Sequence, residues 1–318
     1  MSYFLNKKVL VTGGTGFVGT NFVEELCKKK ARVIVPIHSR PLRILNKNIT
    51  KIKADLTKLE DCLTVCNDVD YIFHAAGMVS AAQMTVNNPM TAISTNLIVT
   101  LRVLEAAMKK NVKKILLFSS GTTGYPPYNH AVKEEEMFKD DPAEIYYGYG
   151  WSRRYTELLG KFASQKSDLK VAICRPTGVY GPFDDFNPNT SHVIPALIKR
   201  AIDKENPFIV WGSGEEIRDF LHVKDLVRGC MLLLEKYAVS DPVNIGSGDE
   251  VKIKEIVKII LQNSERKNVK LIFDNKKPTT IPVRKVDVSK ANKVIGFKKM
   301  ISLQDGLSQT INWYKSNL

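Results

Sequence analysis

The sequence predicts an α/β protein: a Rossmann-type, doubly wound parallel sheet with a smaller C-terminal α/β domain. Short apolar β-branched runs alternate with helical periods, a glycine-rich turn follows the first run, and the alternation stops after residue 182. Strands that are apolar on both faces and separated by helices are typical of parallel sheets covered on both sides. We expect a Rossmann domain over 1–180, with parts of 208–245 returning to it, and a second domain mainly over 181–318.

The predicted elements follow one another in regular order. Apolar residues in 89–111 recur at intervals of three and four, which is the period of a helix with one buried face. Short β-branched runs bounded by turn residues indicate strands. The predicted strands are 8–12, 32–37, 49–54, 71–75, 114–120, 171–175 and 208–211, and the predicted helices are 17–29, 89–111, 151–164, 251–263 and 302–315.

Composition excludes several classes of protein. Hydrophobic residues are 44% and charged residues 25% of the 318, which argues against disorder and collagen-like repeats. No apolar run reaches the roughly 20 residues of a membrane helix, and the N-terminus lacks the apolar core of a signal peptide. Five cysteines, an odd number, argue against a disulfide framework, and no ligand pair completes a metal site beside Cys62 and Cys66. We expect a cytoplasmic protein with no metal and no membrane contact.

The charge is unusual, with 47 basic against 33 acidic residues and a net charge of +14. Such an excess can indicate nucleic-acid binding. Here it is mostly lysine, spread over both halves of the chain, and no aromatic-basic motif of a known nucleic-acid module accompanies it. We therefore expect no nucleic-acid partner, and assign a small share of the charge to a small anionic ligand.

A glycine motif follows the first predicted strand and opens the first helix. The first glycine permits a tight turn, the second lets the backbone approach a pyrophosphate, and the third lets the helix pack closely on the strand. The helix N-terminus then presents N–H groups and a positive dipole to the phosphates. The motif predicts a dinucleotide cofactor held by Gly13, Thr15, Gly16, Phe17, Val18 and Gly19.

The end of the second strand bears on which dinucleotide binds. An acidic residue that accepts a hydrogen bond from the ribose 2′-hydroxyl is usual there. This chain instead has Arg40, with Arg43 close by. Because arginine can accept a 2′-phosphate, the sequence favours NADP over NAD, and NAD remains the alternative.

Several further segments resemble the extended short-chain dehydrogenase/reductase family, the NAD-dependent epimerase/dehydratase group that acts on nucleotide sugars. They are the glycine motif and residues 54–56, 74–77, 96, 119–120 and 175–182. The resemblance implies that Asp55 and Leu56 flank the adenine and that members form homodimers. It also implies a cofactor groove formed by Ala75, Ala76, Gly77, Asn96, Ser119 and Pro176.

Residues 189–200, 210–214 and 218–223 are similar to the GDP-L-fucose synthases within this family. That similarity implies a GDP-sugar substrate, with Arg200 and Arg218 at the diphosphate and His192 at the sugar. Guanidinium groups suit this role because they pair bidentately with phosphate. The substrate-binding residues implied by the resemblance are Thr122, Thr123, His192, Val193, Arg200, Trp211, Arg218 and Arg284.

The acid/base motif of the family is Tyr-x-x-x-Lys, and this chain departs from it. Alignment on the Arg-x-x-Glu that ends the motif places Tyr149 at the catalytic position and Arg153 where lysine is expected. The competing register, Tyr147 with Trp151, supplies no charge. A tyrosine hydroxyl titrates near 10, so a neighbouring cation is needed for it to act as a base near neutral pH. Arginine keeps that cation but is bulkier and forked.

A serine or threonine after the fifth strand holds the sugar oxygen in this family. With Tyr125 as the anchor, Gly121 takes the usual serine position and Thr123 stands where the fucose synthases have a cysteine. A threonine hydroxyl can donate a hydrogen bond to the C4 oxygen, but unlike a thiol it does not ionise readily near neutral pH. We therefore expect C4 redox chemistry, with Tyr149, Arg153, Thr123 and His192 as catalytic residues, and epimerisation at C3 and C5 that is lost or weakened.

Three functions follow from the sequence. The first is an NAD(P)-dependent oxidoreductase acting at C4 of a GDP-linked sugar, as a dehydrogenase or a 4-keto reductase, with the hydride carried by the nicotinamide. The second is a nucleotide-sugar epimerase acting at C4, or a C3/C5 epimerase-reductase. The third belongs to another class: a non-catalytic NAD(P)-binding sensor, suggested by the arginine in place of lysine.

Overall fold

A sheet of seven parallel strands organises the computed structural model, which describes residues 2–78, 89–266, 268–276 and 281–318. The strands are β1 (Lys8–Thr12), β2 (Arg32–Ile37), β3 (Ile49–Lys53), β4 (Tyr71–His74), β5 (Lys114–Phe118), β6 (Lys170–Pro176), β7 (Gly178–Tyr180), β8 (Phe208–Trp211), β9 (Ile217–Arg218), β10 (Phe220–His222), β11 (Val243–Ile245), β12 (Val251–Lys252), β13 (Leu271–Asp274) and β14 (Val283–Arg284).

Nine α-helices lie within the described residues. They are α1 (Phe17–Lys28), α2 (Leu59–Val65), α3 (Pro89–Lys109), α4 (Tyr147–Lys166), α5 (Val193–Ile202), α6 (Val223–Lys236), α7 (Ile253–Asn263), α8 (Ser289–Ile295) and α9 (Leu303–Lys315). Two short 3-10 turns, Glu134–Glu136 and Glu144–Tyr146, precede α4.

The strand order in the large sheet is β11-β6-β5-β4-β1-β2-β3, and every neighbouring pair is parallel. The chain leaves β1 towards β2 on one side and returns to β4 on the other. This reversal opens a crevice at the carboxyl ends of β1 and β4, where ligands bind in doubly wound sheets. The predicted Rossmann-type fold class is confirmed.

Helices cover both faces of the large sheet. Phe22 of α1 and Leu226 of α6 belong to the buried cluster on one face, which Ala291 of α8 joins. Cys62 of α2 and Val103 of α3 belong to the cluster on the opposite face. Thus α6 and β11, both within 208–245, return to the large sheet, and α8 packs there as well.

The remaining C-terminal elements build a smaller α/β region. Strands β8 and β13 pair in parallel, and β9 lies between β12 and β14 in a second small sheet. Helices α5, α7 and α9 supply its core, represented by Leu197, Ile256 and Ile311.

Helix α4 begins at Tyr147, so the predicted start at residue 151 was wrong by one turn. Gly148 and Gly150 lower the helix propensity of 147–150, because glycine disfavours a helix interior, so propensity alone does not predict this turn as helical. Tertiary packing requires Gly150 here: a Cβ at this position would lie 2.4 Å from the Thr123 carbonyl oxygen. The extra turn places Tyr149 and Arg153 on one continuous helix.

Helix α3 corrects the expectation that no segment has the length of a membrane span. Residues 90–109 are long and apolar enough to cross a membrane by length and composition alone. In the fold, Val99, Val103 and Ala107 are buried against the large sheet. This packing is that of a core helix.

A buried ion pair joins α4 to β6. The Arg175 guanidinium donates two hydrogen bonds of 2.7 Å to the Glu157 carboxylate, and 2% and 4% of the two side chains are exposed. Arg175 also donates to the Tyr125 hydroxyl at 2.8 Å and to the Glu134 carbonyl oxygen at 2.7 Å. Tyr125 in turn donates to Asn244 of β11 at 2.7 Å.

We expect Glu157→Gln to lower the free energy of unfolding by about 3–5 kcal/mol, because it leaves the buried Arg175 cation without its counter-charge. Urea unfolding at neutral pH measures the loss. The control is Glu24→Gln, which breaks an exposed 3.1 Å pair with Lys28 and should cost less than about 1 kcal/mol. Equal losses in the two variants would contradict a structural role for the buried pair.

Candidate active site

The candidate site lies along the carboxyl ends of β1, β4, β5 and β6, with the first turns of α4 beside it. Parallel strands bring these ends to one edge of the sheet, which is where loops with chemical side chains meet. Within the described residues, no three His, Cys, Asp or Glu side chains come together as metal ligands.

The glycine turn between β1 and α1 is tightly packed. Gly13 has φ of +68°, and a Cβ there would lie 2.6 Å from the Ala75 carbonyl oxygen. A Cβ on Gly19 would lie 2.0 Å from the Gly13 carbonyl oxygen. Helix α1 begins after Gly16 with no acidic residue in its first turn, so its N-terminal dipole is uncompensated and suited to phosphate. Thr15, Phe17 and Val18 are half-buried at this turn.

Side chains on three elements hold the backbone after β4. The Asn96 amide of α3 donates to the Met78 carbonyl oxygen at 2.9 Å and accepts from the Met78 N–H at 2.7 Å. The Thr12 hydroxyl accepts from the Ala76 N–H at 3.1 Å and bonds to the His74 Nδ1 at 2.9 Å. Asn96 thus fixes the wall of the groove next to Ala75, Ala76 and Gly77.

The His74 ring is buried beneath that wall and bonded at both nitrogens. Its Nε2 lies 3.2 Å from the Thr100 hydroxyl, opposite the bond from Nδ1 to Thr12. Burial, and secondly the charge of Arg153, lower the pKa of His74 to about 4. The imidazole is therefore neutral across the physiological range.

The residues predicted to bind the cofactor after β2 and β3 follow the two strands at one end of the large sheet. Arg40 is exposed just beyond β2, and Arg43 donates to the Phe183 carbonyl oxygen on the loop after β7. Asp55 accepts hydrogen bonds from Thr57 at 3.0 and 2.7 Å, and these lower the pKa of its carboxyl. Leu56 is half-buried beside it.

Tyr149 and Arg153 are in direct contact on α4. Arg153 Nη2 donates to the Tyr149 hydroxyl at 2.5 Å, and the guanidinium carbon lies 4.8 Å from the ring centroid. Ser119, at the end of β5, donates to the Arg153 carbonyl oxygen at 3.3 Å. In the competing register, Tyr147 and Trp151 are 52% and 38% exposed. Among the described residues, the first register is the one that joins a tyrosine to a cation.

The neighbouring arginine has a different environment. Arg154 is buried, donates to the Gly124 and Asp140 carbonyl oxygens at 2.8 and 2.5 Å, and stacks 4.5 Å from the Trp151 ring. It holds the loop before α4 in place. Two adjacent arginines on one helix thus have different partners, Tyr149 for Arg153 and backbone carbonyls for Arg154, which residue type alone does not indicate.

The loop after β5 brings hydroxyl groups to the edge of the groove. Thr123 Oγ1 lies 2.7 Å from Ser120 Oγ, and both residues are half-buried. The Thr123 carbonyl packs against Gly150, the residue after Tyr149. Thr122 is half-buried on the same loop, and Pro176 is the last residue of β6 at the same edge.

Two arginines concentrate positive charge on the small sheet. Arg218 of β9 and Arg284 of β14 are register partners. Burial, and secondly the neighbouring Arg284, lower the pKa of Arg218 to about 10. Arg284 also donates to the Tyr146 hydroxyl and stacks 4.5 Å from its ring. Tyr146 was not among the predicted residues, and only its place in the Tyr-rich run before α4 could have indicated it.

Other predicted substrate residues lie elsewhere on the C-terminal region. Arg200 pairs with both Glu205 oxygens at 2.6 and 2.5 Å and stacks 4.8 Å from Phe208, so a carboxylate already occupies its guanidinium. His192 is the exposed residue before α5, Val193 begins that helix 39% exposed, and Trp211 is 58% exposed.

Comparison with known proteins extends these observations. A family model described as the NAD dependent epimerase/dehydratase family matches residues 9–246. A putative GDP-L-fucose synthase 2 of Arabidopsis thaliana is 31% identical over 327 residues, covering 100% of this chain and 95% of that protein. A dTDP-4-dehydro-6-deoxy-D-allose reductase of Streptomyces bikiniensis is 27% identical, and the match covers 97% of this chain and 96% of that protein. The crystal structure of a UDP-glucose 4-epimerase of Thermotoga maritima with UDP-glucose aligns with a TM-score of 0.88 at 26% identity. The alignment covers 98% of this chain and 99% of the epimerase chain.

We expect the stability of the fold to fall between pH 6.5 and pH 5, because His74 stays neutral when folded while an unfolded imidazole takes up a proton. With a folded pKa of about 4 against 6.5, the loss from this residue is roughly 2 kcal/mol at pH 5. Urea unfolding of the wild type and of His74→Gln at pH 7 and pH 5 measures it.

The variant should lose about 2 kcal/mol less than the wild type over that interval. His222, whose pKa is also lowered to about 4 by burial, is present in both proteins and provides the common background. Identical pH dependence in the two proteins would contradict the role assigned to His74.

Proposed function

Because this chain belongs to the NAD-dependent epimerase/dehydratase family, we propose that it is an NAD(P)-dependent oxidoreductase acting at C4 of a GDP-linked sugar. It would work as a dehydrogenase or as a 4-keto reductase. The observation that carries this proposal is the 2.5 Å contact between Arg153 and the Tyr149 hydroxyl, at the edge of the sheet where the glycine turn lies. A tyrosine beside a fixed cation can hold or release the proton of a sugar hydroxyl.

The groove suits a dinucleotide. Gly13 and Gly19 leave no room for a Cβ, so at this turn backbone N–H groups and the α1 dipole would face the pyrophosphate. Asp55 and Leu56 would flank the adenine. The bound nicotinamide supplies or accepts the hydride. The groove itself would be formed by Ala75, Ala76, Gly77, Asn96, Ser119, Pro176, Tyr149 and Arg153.

In the proposed reduction the Tyr149 hydroxyl gives its proton to the sugar O4, and Arg153 stabilises the phenolate that remains. Thr123 donates a hydrogen bond to O4 without losing its own proton. In the oxidation the same groups act in reverse, so Tyr149 takes the proton from the C4 hydroxyl. His192 would contact the ring from the substrate side.

The assignment of a GDP sugar rests on the similarity to fucose synthases, since other relatives are named for dTDP and UDP sugars. We propose that Arg218 and Arg284 bind the diphosphate, because two adjacent guanidinium groups favour a dianion. Arg200 would have to exchange Glu205 for a phosphate to contribute. Thr122, Val193 and Trp211 would complete the substrate site.

We further propose a homodimer in the cytoplasm. Trp151, Tyr155, Leu158 and Phe162 form an exposed apolar stripe along α4, spaced as one helix face. A contiguous apolar face of this kind indicates a protein contact, and a second copy of the chain would cover it by two-fold symmetry. Five free, buried thiols suit a reducing compartment.

A C4-epimerase is the second candidate, favoured by the TM-score of 0.88 to the Thermotoga epimerase. Such an enzyme oxidises C4, lets the ketone present its other face, and reduces it again with the same cofactor. The Tyr149–Arg153 pair would serve both half-reactions, and no net change in cofactor would appear.

We expect the wild type to act on one member of a panel of GDP-, UDP- and dTDP-linked hexoses and 4-keto-6-deoxyhexoses, and Tyr149→Phe to lower kcat by about 10²–10⁴-fold because the proton donor is lost. Absorbance at the nicotinamide band and product analysis measure the reaction. The control is Tyr237→Phe. It removes a hydroxyl that donates to the Asp241 carboxylate at 2.7 Å and that is not part of the groove.

Net NAD(P)H consumption or formation identifies the reductase or the dehydrogenase, and C4 inversion without it identifies the epimerase. In heavy water we expect no solvent deuterium at C3 or C5, because Thr123 does not remove carbon-bound protons near neutral pH. Deuterium there would overturn the loss of double epimerisation. Full turnover by Tyr149→Phe would overturn the catalytic assignment.

For the cofactor we propose NADP over NAD, with Arg40 at the 2′-phosphate. Replacing this charge should raise the KM for NADPH at least about 10-fold and change the KM for NADH less than about twofold, as expected for loss of a charge-assisted contact. The variant is Arg40→Gln, and Arg32→Gln, at the opposite end of β2, is the control. A wild-type preference for NADH would contradict the proposal.

A further inference from the structure

The Ser120 hydroxyl, at the end of β5, lies among three hydrogen-bonding groups of its own loop. Its oxygen is 3.0 Å from the Thr123 backbone nitrogen, 3.3 Å from the Thr122 nitrogen and 2.7 Å from Thr123 Oγ1. The family resemblance assigns roles to positions 121 and 123 and none to Ser120.

The numbers of donors and acceptors determine which hydroxyl donates in the Ser120–Thr123 hydrogen bond. A serine hydroxyl has one proton to donate and two lone pairs to accept with. The two backbone N–H groups can only donate, so together they occupy both lone pairs of Ser120. Its single proton must then go to Thr123 Oγ1. Thr123 consequently accepts inside the loop and keeps its own proton for a group outside the loop.

The backbone explains why the hydroxyl is at 123 and not at 121. The Gly121 N–H donates to the Pro176 carbonyl oxygen at 2.9 Å. A Cβ on Gly121 would lie 2.5 Å from that oxygen and 2.9 Å from the Arg175 carbonyl oxygen. A serine therefore does not fit at 121 in this loop, and the Ser120–Thr123 pair supplies the hydroxyl instead.

Resting on the proposed function, we propose that Ser120 is a positioning residue that fixes Thr123 as a hydrogen-bond donor to the sugar O4. Without Ser120 the Thr123 hydroxyl could turn inward and donate to the loop, leaving O4 without a partner. No proton leaves either residue during the reaction: Tyr149 transfers the proton and Thr123 stabilises the charge that develops on O4.

The test is a double-mutant cycle on the panel substrate that the wild type turns over. Because Ser120 acts through Thr123, we expect Ser120→Ala to lower kcat about 10-fold with KM within about twofold. Thr123→Val should lower kcat about 100-fold. The double variant should be no slower than Thr123→Val alone, since the two residues form one unit. Thr123→Ser, which keeps the hydroxyl, should restore kcat to within about threefold of the wild type.

The control is Ser164→Ala, which breaks another hydroxyl pair of 2.7 Å, to Ser240, far from the groove. It should leave kcat unchanged. Calorimetric titration with GDP alone should give the same affinity for the wild type and every variant, which separates an effect at the sugar oxygen from damage to the fold.

Losses that add in the double variant, or an unchanged kcat in Ser120→Ala, would overturn the positioning role while leaving the proposed function intact. A wild type that binds GDP but turns over no member of the panel would overturn the proposed function, and this inference with it. A loss of GDP affinity in Ser120→Ala would show a merely structural role and would also overturn the inference.

Discussion

The buried Arg175–Glu157 pair is the interaction on which the arrangement of the site depends. It joins the last residues of β6 to the middle of α4, so it fixes the helix that carries Tyr149 and Arg153 over the edge of the sheet. Through Tyr125 the same guanidinium holds the loop that bears the Ser120 and Thr123 hydroxyls. Removing two charges from water is costly, and only complete hydrogen bonding offsets that cost. One satisfied guanidinium therefore helps to position both the Tyr149–Arg153 pair and the Ser120–Thr123 hydroxyls.

Arginines in this fold have three separate roles that follow from their surroundings. Arg175 and Arg154 are buried and bonded to protein oxygens, which makes them structural. Arg153 lies in the groove with its charge directed at a tyrosine hydroxyl. Arg218 and Arg284 lie together on the small sheet and raise the local potential. The arginines that contribute to the net charge of +14 therefore differ widely in their surroundings.

The two sides of the groove differ in chemistry: one side is uncharged, and the other carries the charged and hydroxyl groups. Asn96, Thr12 and the neutral His74 hold the backbone after β4 without adding charge where a cofactor would lie. The charged and hydroxyl groups come from the other side, on α4 and the loop after β5. The charged contact between Arg153 and Tyr149 comes from α4, and the proposed proton transfer depends on it.

The sequence alone predicts six of the seven strands of the large sheet and the glycine turn, because strand and helix periods and the need for glycine are local properties of the chain. The short edge strand β11 was not predicted. Residues 8–12, 32–37 and 208–211 form strands with the predicted bounds. Tertiary structure decided what depends on distant groups. The Thr123 carbonyl leaves no room for a side chain at Gly150. Glu205 forms an ion pair with Arg200. The Gly124 and Asp140 carbonyls accept hydrogen bonds from Arg154 but not from Arg153. Apart from Glu205, these partners are distant in sequence, so no local pattern could reveal them. Glu205 is five residues after Arg200 and reaches the guanidinium because the chain turns back after α5.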